Sequence, residues 1–393
     1  MEAVYLARRG RFVTLVINRD PSSPALSLAD KEVIVDVVEK PGRAAKIIRE
    51  CDAVLPVCED WPTLNTLSEI CKNVEVPLIF DSRAYSTVSS KLKSNAFMRR
   101  LGIPTPKPWP ESNFPVIIEP SNKSRITDAS RATNADELIR ERDRIVRTGI
   151  LPLVREYVNG SSISIDVIGD GRGAVPLAIS EKVFDTSYEC NVVYSPWGNN
   201  DTTIEKQFVE SSFLMASELR LFGTMSVKAV VCNGTMKVID IDARYPEQTP
   251  ITVLHSNGIN ILEDLVDMTI NGRLMRPQVT SSRVACCEYV AVKENTLLSS
   301  KEGHLSEISK PKVIHGLFGS DEMITDYEPG KRSWIGLIIC TGATHQEVRR
   351  KRKDVLKAIL ELENISNYSD LPSCGVRSPR TTDRKASSVH SQK

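Results

Sequence analysis

The chain contains 393 residues, of which 41% are apolar and 26% are charged, a composition typical of globular proteins. Because this length exceeds what one hydrophobic core usually covers, it predicts two or three domains. A formal net charge of +1 excludes a global attraction to nucleic acid or to anionic lipid, so either partner would need a local basic patch.

The cysteine pattern and the first residues bear on the compartment. The nine cysteines are an odd number and none falls in a CxxC pair, which is typical of reduced thiols rather than of a disulfide framework or a zinc site. No cleavable apolar segment opens the chain, and no apolar run approaches the ~20 residues of a membrane span. We therefore expect a soluble, cytoplasmic protein with no membrane partner.

Residues 1–88 are predicted to form the first domain. Helical spacing of apolar residues predicts a helix from Glu2 to Arg9. Four apolar segments follow, separated by helical or polar residues: 12–17, 33–38, 53–57 and 77–80. Strands that alternate with helices indicate a Rossmann-like domain with a parallel sheet. Such a domain normally opens with a strand that leads into a glycine-rich turn. Since the sequence shows no such unit, we expect either that the domain lacks its first strand or that the true N-terminus lies upstream.

Residues 89–152 are predicted to form a small second unit. A helix over 90–101 ends at Gly102, and the prolines of the following IPTPKPWP prevent its continuation. A short strand over 114–120, a polar loop and a charged helix over 135–149 complete the unit.

Residues 153–372 are predicted to form a large third unit built on two antiparallel hairpins. The first hairpin spans 161–183 around a Gly-Asp-Gly-Arg-Gly turn, and the second spans 225–244 around a Cys-Asn-Gly turn. A helix over 204–223 connects the two hairpins.

The C-terminal part continues with more β character after residue 283. An amphipathic helix follows, with four apolar residues predicted to face inward: Val348, Val355, Ile359 and Leu362. Residues 373–393 are rich in serine and basic residues and contain almost nothing to bury, so they predict a disordered basic tail.

The return strand of the second hairpin contains the first chemical signal. Because side chains alternate along a strand, Asp240, Asp242 and Arg244 are predicted to share one face, with Ile239 and Ile241 packed behind them. Two close carboxylates repel each other unless a cation lies between them, and hard oxygen ligands suit Mg²⁺. The alternative is a solvated strand face that the arginine balances.

Three features occur in a fixed order along the chain. Lys91 stands at the head of a helix that ends in GIPTP, Glu156 opens EYVNG before a hairpin, and the second hairpin ends in acidic-x-acidic-x-Arg. This order resembles the ATP-grasp family of carboxylate–amine ligases, over roughly residues 2–362. The resemblance implies an α/β (α+β) fold with ATP-grasp architecture.

Several strings are similar to one branch of this family, the ligases of pyrrolysine biosynthesis. These strings are IDARYPEQTP, SISIDVIGDG, CCEYVAVKE and the segment 181–196. The branch joins 3-methyl-D-ornithine to the side-chain amine of L-lysine, and the resemblance leaves open whether D-ornithine is used instead. It implies an ATP-dependent carbon–nitrogen ligase that activates the carboxylate as an acyl phosphate.

The resemblance also implies roles for individual residues. Asp240 and Asp242 would bind Mg²⁺, Lys91 would neutralise the ATP phosphates, and Arg244 would stabilise charge on the tetrahedral intermediate. The backbone of Glu156, Tyr157 and Val158 would bind the adenine.

Glu181, Asp185 and Tyr188 lie where the resemblance implies an amino-acid pocket. A substrate with two ammonium groups needs acidic partners, which two carboxylates and a phenol would supply. The alternative is structural, with Asp185 capping a turn and Tyr188 packing as a half-buried side chain.

The sequence departs from the family pattern around the phosphates. Glu119 replaces a lysine, Lys228 replaces an acid, and the loop 121–130 contains no glycine. One hypothesis is that Glu119 and Lys228 face each other across the cleft and exchanged roles, with Lys228 reaching the phosphates. Lys123 or Arg125 would then replace the amide contacts of the loop. The alternative is a catalytically degenerate homologue that binds nucleotide or amino acid with little turnover.

A basic run at 349–353, RRKRK, raises nucleic acid as a partner. Since this run opens an amphipathic helix with acidic residues before and after it, a solvated helix face is the favoured interpretation. The sequence leaves the oligomeric state open, although enzymes of this shape are often homodimers.

Overall fold

The computed structural model of the chain describes residues 1–122, 129–185, 188–199, 201–300 and 307–369. The predicted tail and most of the glycine-free loop, including Lys123 and Arg125, lie outside these residues. Within them, no helix is both long and apolar enough to cross a bilayer. The eight cysteines in the described residues form no disulfide.

Eleven α-helices occur in the described residues: α1 (Glu2–Arg9), α2 (Pro24–Leu28), α3 (Pro41–Ile48), α4 (Trp61–Val74), α5 (Ser82–Val88), α6 (Lys91–Arg100), α7 (Ala135–Val146), α8 (Thr202–Leu219), α9 (Thr249–Asn257), α10 (Ile261–Asn271) and α11 (His345–Leu362).

The strands described are β1 (Leu15–Asn18), β2 (Lys31–Ile34), β3 (Val116–Pro120), β4 (Ser130–Ala132), β5 (Pro152–Glu156), β6 (Ser161–Asp170), β7 (Ala174–Phe184), β8 (Cys190–Ser195), β9 (Phe222–Cys232), β10 (Thr235–Asp242), β11 (Val284–Lys293), β12 (Thr296–Ser299), β13 (Lys312–His315), β14 (Glu322–Thr325), β15 (Ser333–Gly342) and β16 (Asn367–Ser369).

The N-terminal region contains a short parallel pair, β1 with β2. The apolar segments predicted as the third and fourth strands meet in a single parallel bridge between Val54 and Leu78. Helices α3 and α4 pack together here through a small core that includes Ala44, Ile48 and Leu67. The interpretation of residues 1–88 as a Rossmann-like domain without its first strand stays a prediction.

A small antiparallel sheet follows, with strand order β4–β3–β5. Helix α7 covers it through Leu138 and Ile145, which pack against Val116 and Ile118. Strand β5 begins at Pro152 and pairs along the whole of β3. The small sheet therefore extends to the hinge segment that starts at Glu156, although the domain boundary after residue 152 stays a prediction.

The large sheet contains eleven of the described strands, nine of them in the order β10–β9–β6–β7–β8–β11–β15–β14–β13. A continuous row of opposed residues, Ser180, Ser164, Lys228 and Asp240, crosses four of its strands. Because directly opposed residues of antiparallel strands point to the same side, we call this side the polar face.

The opposite side of the large sheet is its apolar face. Ile163, Ala229 and Val238 are opposed there and pack against Phe208 of α8. On the polar face, α1, α9 and α10 cover the part of the sheet built around β11 and β15. The polar side chains of β10, β9, β6 and β7 thus gather beside this helical layer, which restricts their contact with water.

Two details of the predicted packing are wrong. Ile239 does not pack behind the acids, because a β-bulge between Val238 and Asp240 makes it an extra residue whose carbonyl accepts a bond from Arg155 at 2.7 Å. Leu362 is 67% exposed rather than buried, because it ends α11 past the last buried turn at Ile359.

A buried hydrogen-bonded cluster ties α1 to α9 and β14. The Tyr5 hydroxyl donates to Glu322 Oε2 at 2.7 Å and lies 2.8 Å from His255 Nε2. Since a hydroxyl has one proton, His255 must be the donor in the second bond. Burial lowers the pKa of His255 to about 4, so this imidazole is neutral at pH 7.

This cluster predicts acid sensitivity. Between pH 6.5, the ordinary pKa of histidine, and about 4 the unfolded chain binds a proton that the folded chain does not, so stability falls with pH through this window. The total loss for His255 is about 3 kcal/mol. Urea unfolding at several pH values between about 4 and 7 measures it. His255→Gln, which keeps a donor but cannot titrate, should remove most of this dependence.

The control is His315→Gln, because the His315 side chain is 69% exposed and approaches the same carboxylate only at its edge, with Nδ1 3.7 Å from Glu322 Oε1. This variant should keep the pH dependence of the unmodified chain. If the free energy of unfolding depends on pH as steeply in His255→Gln as in the unmodified chain, another group titrates in this window.

Candidate active site

The second hairpin places its acids beside cations. Asp240 is opposed to Lys228 and Asp242 to Ser226 in the register of β10 with β9. Lys228 Nζ lies 3.8 Å from Asp240 Oδ2. The prediction that Asp240 and Asp242 share a face therefore agrees with the structure, which also places Lys228 directly across the hairpin.

Lys228 remains charged in this setting. Burial acts to lower the pKa of Lys228, but Asp240 and Asp242 outweigh it and hold the pKa above its ordinary value. The side chain is one-quarter exposed. Because the Lys228 ammonium is charged and partly exposed, it can bind an anionic ligand while it stays beside Asp240.

Arg244 follows β10 and is held by three carboxylates. Its Nε lies 2.9 Å from Asp242 Oδ2, and its guanidinium also pairs with Glu247 and Glu59. The side chain is 13% exposed. Burial opposes the charge, but Asp242, Glu247 and Glu59 raise the pKa of Arg244 above its usual range. These contacts fix the cation next to Asp242.

The carboxylates of the polar face provide only part of a metal site. In the described part of the chain, no group of three or more His, Cys, Asp or Glu side chains could hold a metal ion. Mg²⁺, however, usually takes one or two carboxylates together with waters and nucleotide phosphates. Asp240 and Asp242 fit that pattern, which requires the phosphates to supply further oxygens.

The charges around the strand ends favour an added cation. Five carboxylates interact here with three cationic side chains among the described residues, so acids outnumber cations, although burial raises the pKa of two of the acids, Glu59 and Asp166. A divalent cation would neutralise this excess. The groups are Glu59, Asp166, Asp240, Asp242 and Glu247, with Lys182, Lys228 and Arg244.

Lys91 lies in a second, buried network. Its ammonium pairs with Glu119, whose other oxygen pairs with Arg155. All three side chains are less than a tenth exposed. Burial favours the neutral acid, but Arg155 and Lys91 outweigh it and lower the pKa of Glu119. The hypothesis that Glu119 faces Lys228 is wrong, because Glu119 pairs with Lys91 and Arg155 instead.

The hinge after β5 lines a cleft of about 670 Å³ with the turn of the second hairpin. Glu156 accepts a bond from Lys237 Nζ at 2.6 Å, and Arg131 lies over the Tyr157 ring at 4.7 Å. Val158 also lines the cleft. The structure thus brings the three predicted adenine-binding residues to one cavity.

Of the three predicted substrate residues, Glu181 lies on the opposite side of the sheet from the acids. Glu181 is opposed to Ile163, so it lies on the apolar face, where Arg349 is 3.5 Å away. Asp185 Oδ1 accepts from the Glu189 amide at 3.0 Å, which is the turn-capping alternative. Tyr188 is half-buried in the same turn with φ +63°.

The sequence interpretation missed two charged residues of the polar face, Lys182 and Asp166. Lys182, the neighbour of Glu181, is opposed to Ser162 and donates to Gln248 Oε1 at 3.2 Å. Asp166 accepts from the Thr249 hydroxyl at 2.5 Å. Alternation along β7 would have separated Lys182 from Glu181, but only the register shows which of the two faces the acids.

The basic run of α11 is engaged within the chain. Arg352 makes a bidentate pair with buried Glu288, at 2.6 and 2.7 Å. Lys351 lies 2.7 Å from Asp321, and Arg349 stacks over the Tyr194 ring at 4.7 Å. These contacts attach α11 to the large sheet and support the interpretation of the run as a helix face.

Comparisons with known proteins agree on one family. Residues 88–247 match a family model described as the ATP-grasp domain. The 3-methyl-D-ornithine--L-lysine ligase of Methanosarcina acetivorans is 31% identical over 297 residues, which cover 76% of this chain and 78% of that protein. The ligase of the same name from Methanosarcina mazei is 30% identical over 298 residues, which cover 76% of each chain.

A solved structure has the same fold. It is the biotin carboxylase domain dimer of Hydrogenobacter thermophilus 2-oxoglutarate carboxylase, in complex with MgADP, ADP and bicarbonate. It aligns with a TM-score of 0.69 and 14% identity, over 91% of this chain and 86% of that chain. At this identity the likeness concerns the fold alone.

The position of Lys228 predicts a role in binding the ATP phosphates. Lys228→Met is expected to weaken MgATP binding about tenfold, because it removes one charge-assisted contact. Isothermal titration calorimetry measures the Kd. The matched control is Lys206→Met, whose lysine is 77% exposed on α8 and should not matter. An unchanged Kd in Lys228→Met would contradict a role in phosphate binding.

Proposed function

Because the chain belongs to the ATP-grasp family of carboxylate–amine ligases, and is therefore an ATP-dependent carbon–nitrogen ligase with the predicted ATP-grasp fold, we propose that it joins 3-methyl-D-ornithine to the side-chain amine of L-lysine in pyrrolysine biosynthesis. The two Methanosarcina ligases support this choice of small-molecule substrates.

The nucleotide is assigned to the cleft between the hinge and the second hairpin. The adenine would lie against the backbone of Glu156, Tyr157 and Val158. Asp240 and Asp242 would hold Mg²⁺, which supplies charge neutralisation at the transferring phosphoryl group. This proposal is supported by the excess negative charge around the two acids.

Two lysines are available for the phosphates, in different states. Lys228 is partly exposed and charged beside Asp240. Lys91 is buried against Glu119 and would meet a phosphate only after that pair opens. The proposal therefore assigns the first phosphate contact to Lys228 and a second, conditional one to Lys91.

The reaction takes place in two transfers. An oxygen of the 3-methyl-D-ornithine carboxylate attacks the γ-phosphorus of ATP, which gives an acyl phosphate and releases ADP. The deprotonated ε-amine of lysine then attacks the acyl carbon, the carbon–oxygen bond to phosphate breaks, and the amide and inorganic phosphate leave. Arg244 would stabilise the negative charge on the oxygen of the tetrahedral intermediate.

One observation carries this proposal. Arg244 is fixed by Asp242, directly beside the Asp240–Lys228 pair, on the polar face of one hairpin. Phosphoryl transfer to a carboxylate needs positioned cations more than it needs covalent catalysis, and this arrangement provides them.

A specific observation favours the alternative of a degenerate homologue with little turnover. Glu119 neutralises Lys91 in a buried network that also includes Arg155. Breaking a buried pair by removing one partner costs about 3–5 kcal/mol, so Lys91 is not readily released for another anion. The assay below distinguishes the two.

Purified protein is expected to form ADP, phosphate and an amide when incubated with ATP, Mg²⁺, 3-methyl-D-ornithine and L-lysine, because the proposed reaction consumes ATP and joins the two amino acids. Mass spectrometry detects the amide, and a coupled assay detects ADP. D-Ornithine in place of 3-methyl-D-ornithine tests which diamino acid is activated.

Two other outcomes have distinct meanings. ADP release without amide would indicate that the acyl phosphate forms and is hydrolysed, which contradicts lysine as acceptor. Nucleotide binding without ADP release would support the degenerate alternative and contradict the ligase reaction.

Arg244→Met should lower kcat by about 10²-fold, because it removes a preorganised cation from the site where charge develops. Arg244→Lys should recover part of this loss, whereas the KM for ATP should change little. A matched control is Arg99→Met, whose arginine is half-exposed on α6. A kcat that is unchanged in Arg244→Met would contradict the catalytic role.

A further inference from the structure

Four polar residues of β6 and β7 remain outside the roles assigned to nucleotide and metal. They are Ser164, Asp166, Ser180 and Lys182, and each is at least nine-tenths buried. All four lie on the polar face: Ser164 and Ser180 belong to the row that contains Lys228 and Asp240, and Asp166 and Lys182 lie on either side of it. Buried polar groups normally find hydrogen-bond partners, so these residues need an explanation.

Lys182 has no carboxylate at ion-pair distance among the described residues, and Asp166 and Glu247 interact with it only over longer distances. The residue is 7% exposed, and its ammonium donates to the neutral amide oxygen of Gln248 at 3.2 Å. Burying an ammonium opposite a neutral acceptor is unfavourable, since its charge is only partly compensated. An anionic group next to Lys182 would remove that cost.

Within the described ranges, Asp166 is a buried acid that lacks a cationic partner at ion-pair distance, as Lys182 is a buried cation that lacks an anionic one. Asp166 is 2% exposed, and Oδ2 accepts the bond from the Thr249 hydroxyl. Oδ1 is buried and has no hydrogen bond of standard geometry within the part of the chain that the structure describes, while the Ser226 hydroxyl lies close to the same carboxylate. A donor, and above all a cationic one, would satisfy this oxygen.

Lys182 and Asp166 interact electrostatically but do not form an ion pair within the described residues. Between them, Ser164 and Ser180 are opposed in the register of β6 with β7, and their hydroxyls also find no partner in the described chain. A buried cation and a buried acid that do not pair with each other present opposite charges that a group carrying both charges would complement.

We propose that Lys182 and Asp166 bind the α-carboxylate and the α-ammonium of the acceptor amino acid, with the hydroxyls of Ser164 and Ser180 as further contacts. This inference rests on the proposed function, in which the acceptor reacts through its side-chain amine. The acceptor alone keeps both head-group charges, because the donor's carboxylate is consumed.

The distance to the reacting groups fits a long side chain. Asp166, Ser226 and Asp242 are opposed across β6, β9 and β10, and neighbouring strands lie about 4.8 Å apart, so Asp166 is roughly 10 Å from Asp242. An extended lysine spans roughly 6 Å from Cα to Nζ, and a hydrogen bond adds about 3 Å. The ε-amine would thus arrive beside Asp242 and Arg244.

The position of this site also determines which acceptors are excluded. An amino acid whose side-chain amine is closer to its α-carbon could not place that amine beside Asp242 while its head group contacts Asp166. A diamine without a carboxylate would leave Lys182 unsatisfied. The site therefore selects a long α-amino acid with a terminal amine.

Binding to the unmodified chain tests the site without requiring turnover. Isothermal titration calorimetry, with Mg²⁺ and a non-hydrolysable ATP analogue present, compares L-lysine with cadaverine, which lacks the carboxylate, and with 6-aminohexanoate, which lacks the α-ammonium. Each analogue should bind about tenfold or more weakly than L-lysine, because one charge-assisted contact is lost.

Two variants locate the contacts. Lys182→Met should lose the preference for L-lysine over cadaverine and leave cadaverine binding unchanged. Asp166→Asn should lose the preference over 6-aminohexanoate in the same way. Lys206→Met, on the exposed surface of α8, is the matched control and should keep both preferences.

The inference is overturned if the unmodified chain binds no L-lysine, binds the analogues as tightly, or keeps both preferences in the variants. Amide formation combined with any of these results would leave the proposed function standing without this site. The expected preferences without any amide product would leave the head-group site standing and contradict the proposed reaction.

Discussion

The antiparallel register of β9 with its neighbours β10 and β6 is the constraint on which the site depends. It sets Asp240 opposite Lys228 and Asp242 opposite Ser226, and it sets Ser226 opposite Asp166. Because side chains alternate with a period of two, a slip of one residue would move this whole set to the apolar face. The core on that face, built around Ala229, holds the register, so apolar packing fixes where the charges lie.

The balance between burial and neighbouring charges then sets the pKa of each ionisable group in the site. Arg244 and Lys228 stay cationic, because nearby carboxylates outweigh the cost of burial for both groups. Burial prevails at Asp166, whose pKa is raised above its ordinary value. At Glu119, Arg155 and Lys91 prevail and lower the pKa. A site of this kind keeps several charges in place before any ligand arrives, which is the preorganisation that phosphoryl and acyl transfer require.

The strongest local patterns in the sequence led to correct elements. The helix at Glu2–Arg9, both hairpins and the helix that opens at Lys91 occur where apolar spacing and turn residues predict them. Ile239 was assigned wrongly, because a β-bulge depends on the partner strand and has no signature in the strand's own alternation. Glu181 was considered for the pocket and its neighbour Lys182 was overlooked, although the register places Lys182 on the polar face.

The sequence by itself determined the family, the hinge at Glu156 and the acidic strand end at Asp240 and Asp242, because short motifs of adjacent residues carry these features. Only the tertiary structure decided the partners. Glu119 pairs with Lys91 and Arg155, and Arg244 with Glu59, through contacts between residues distant in the chain. Charge pairing depends on distances of a few ångströms, which the packing of separate elements sets and which no local pattern records.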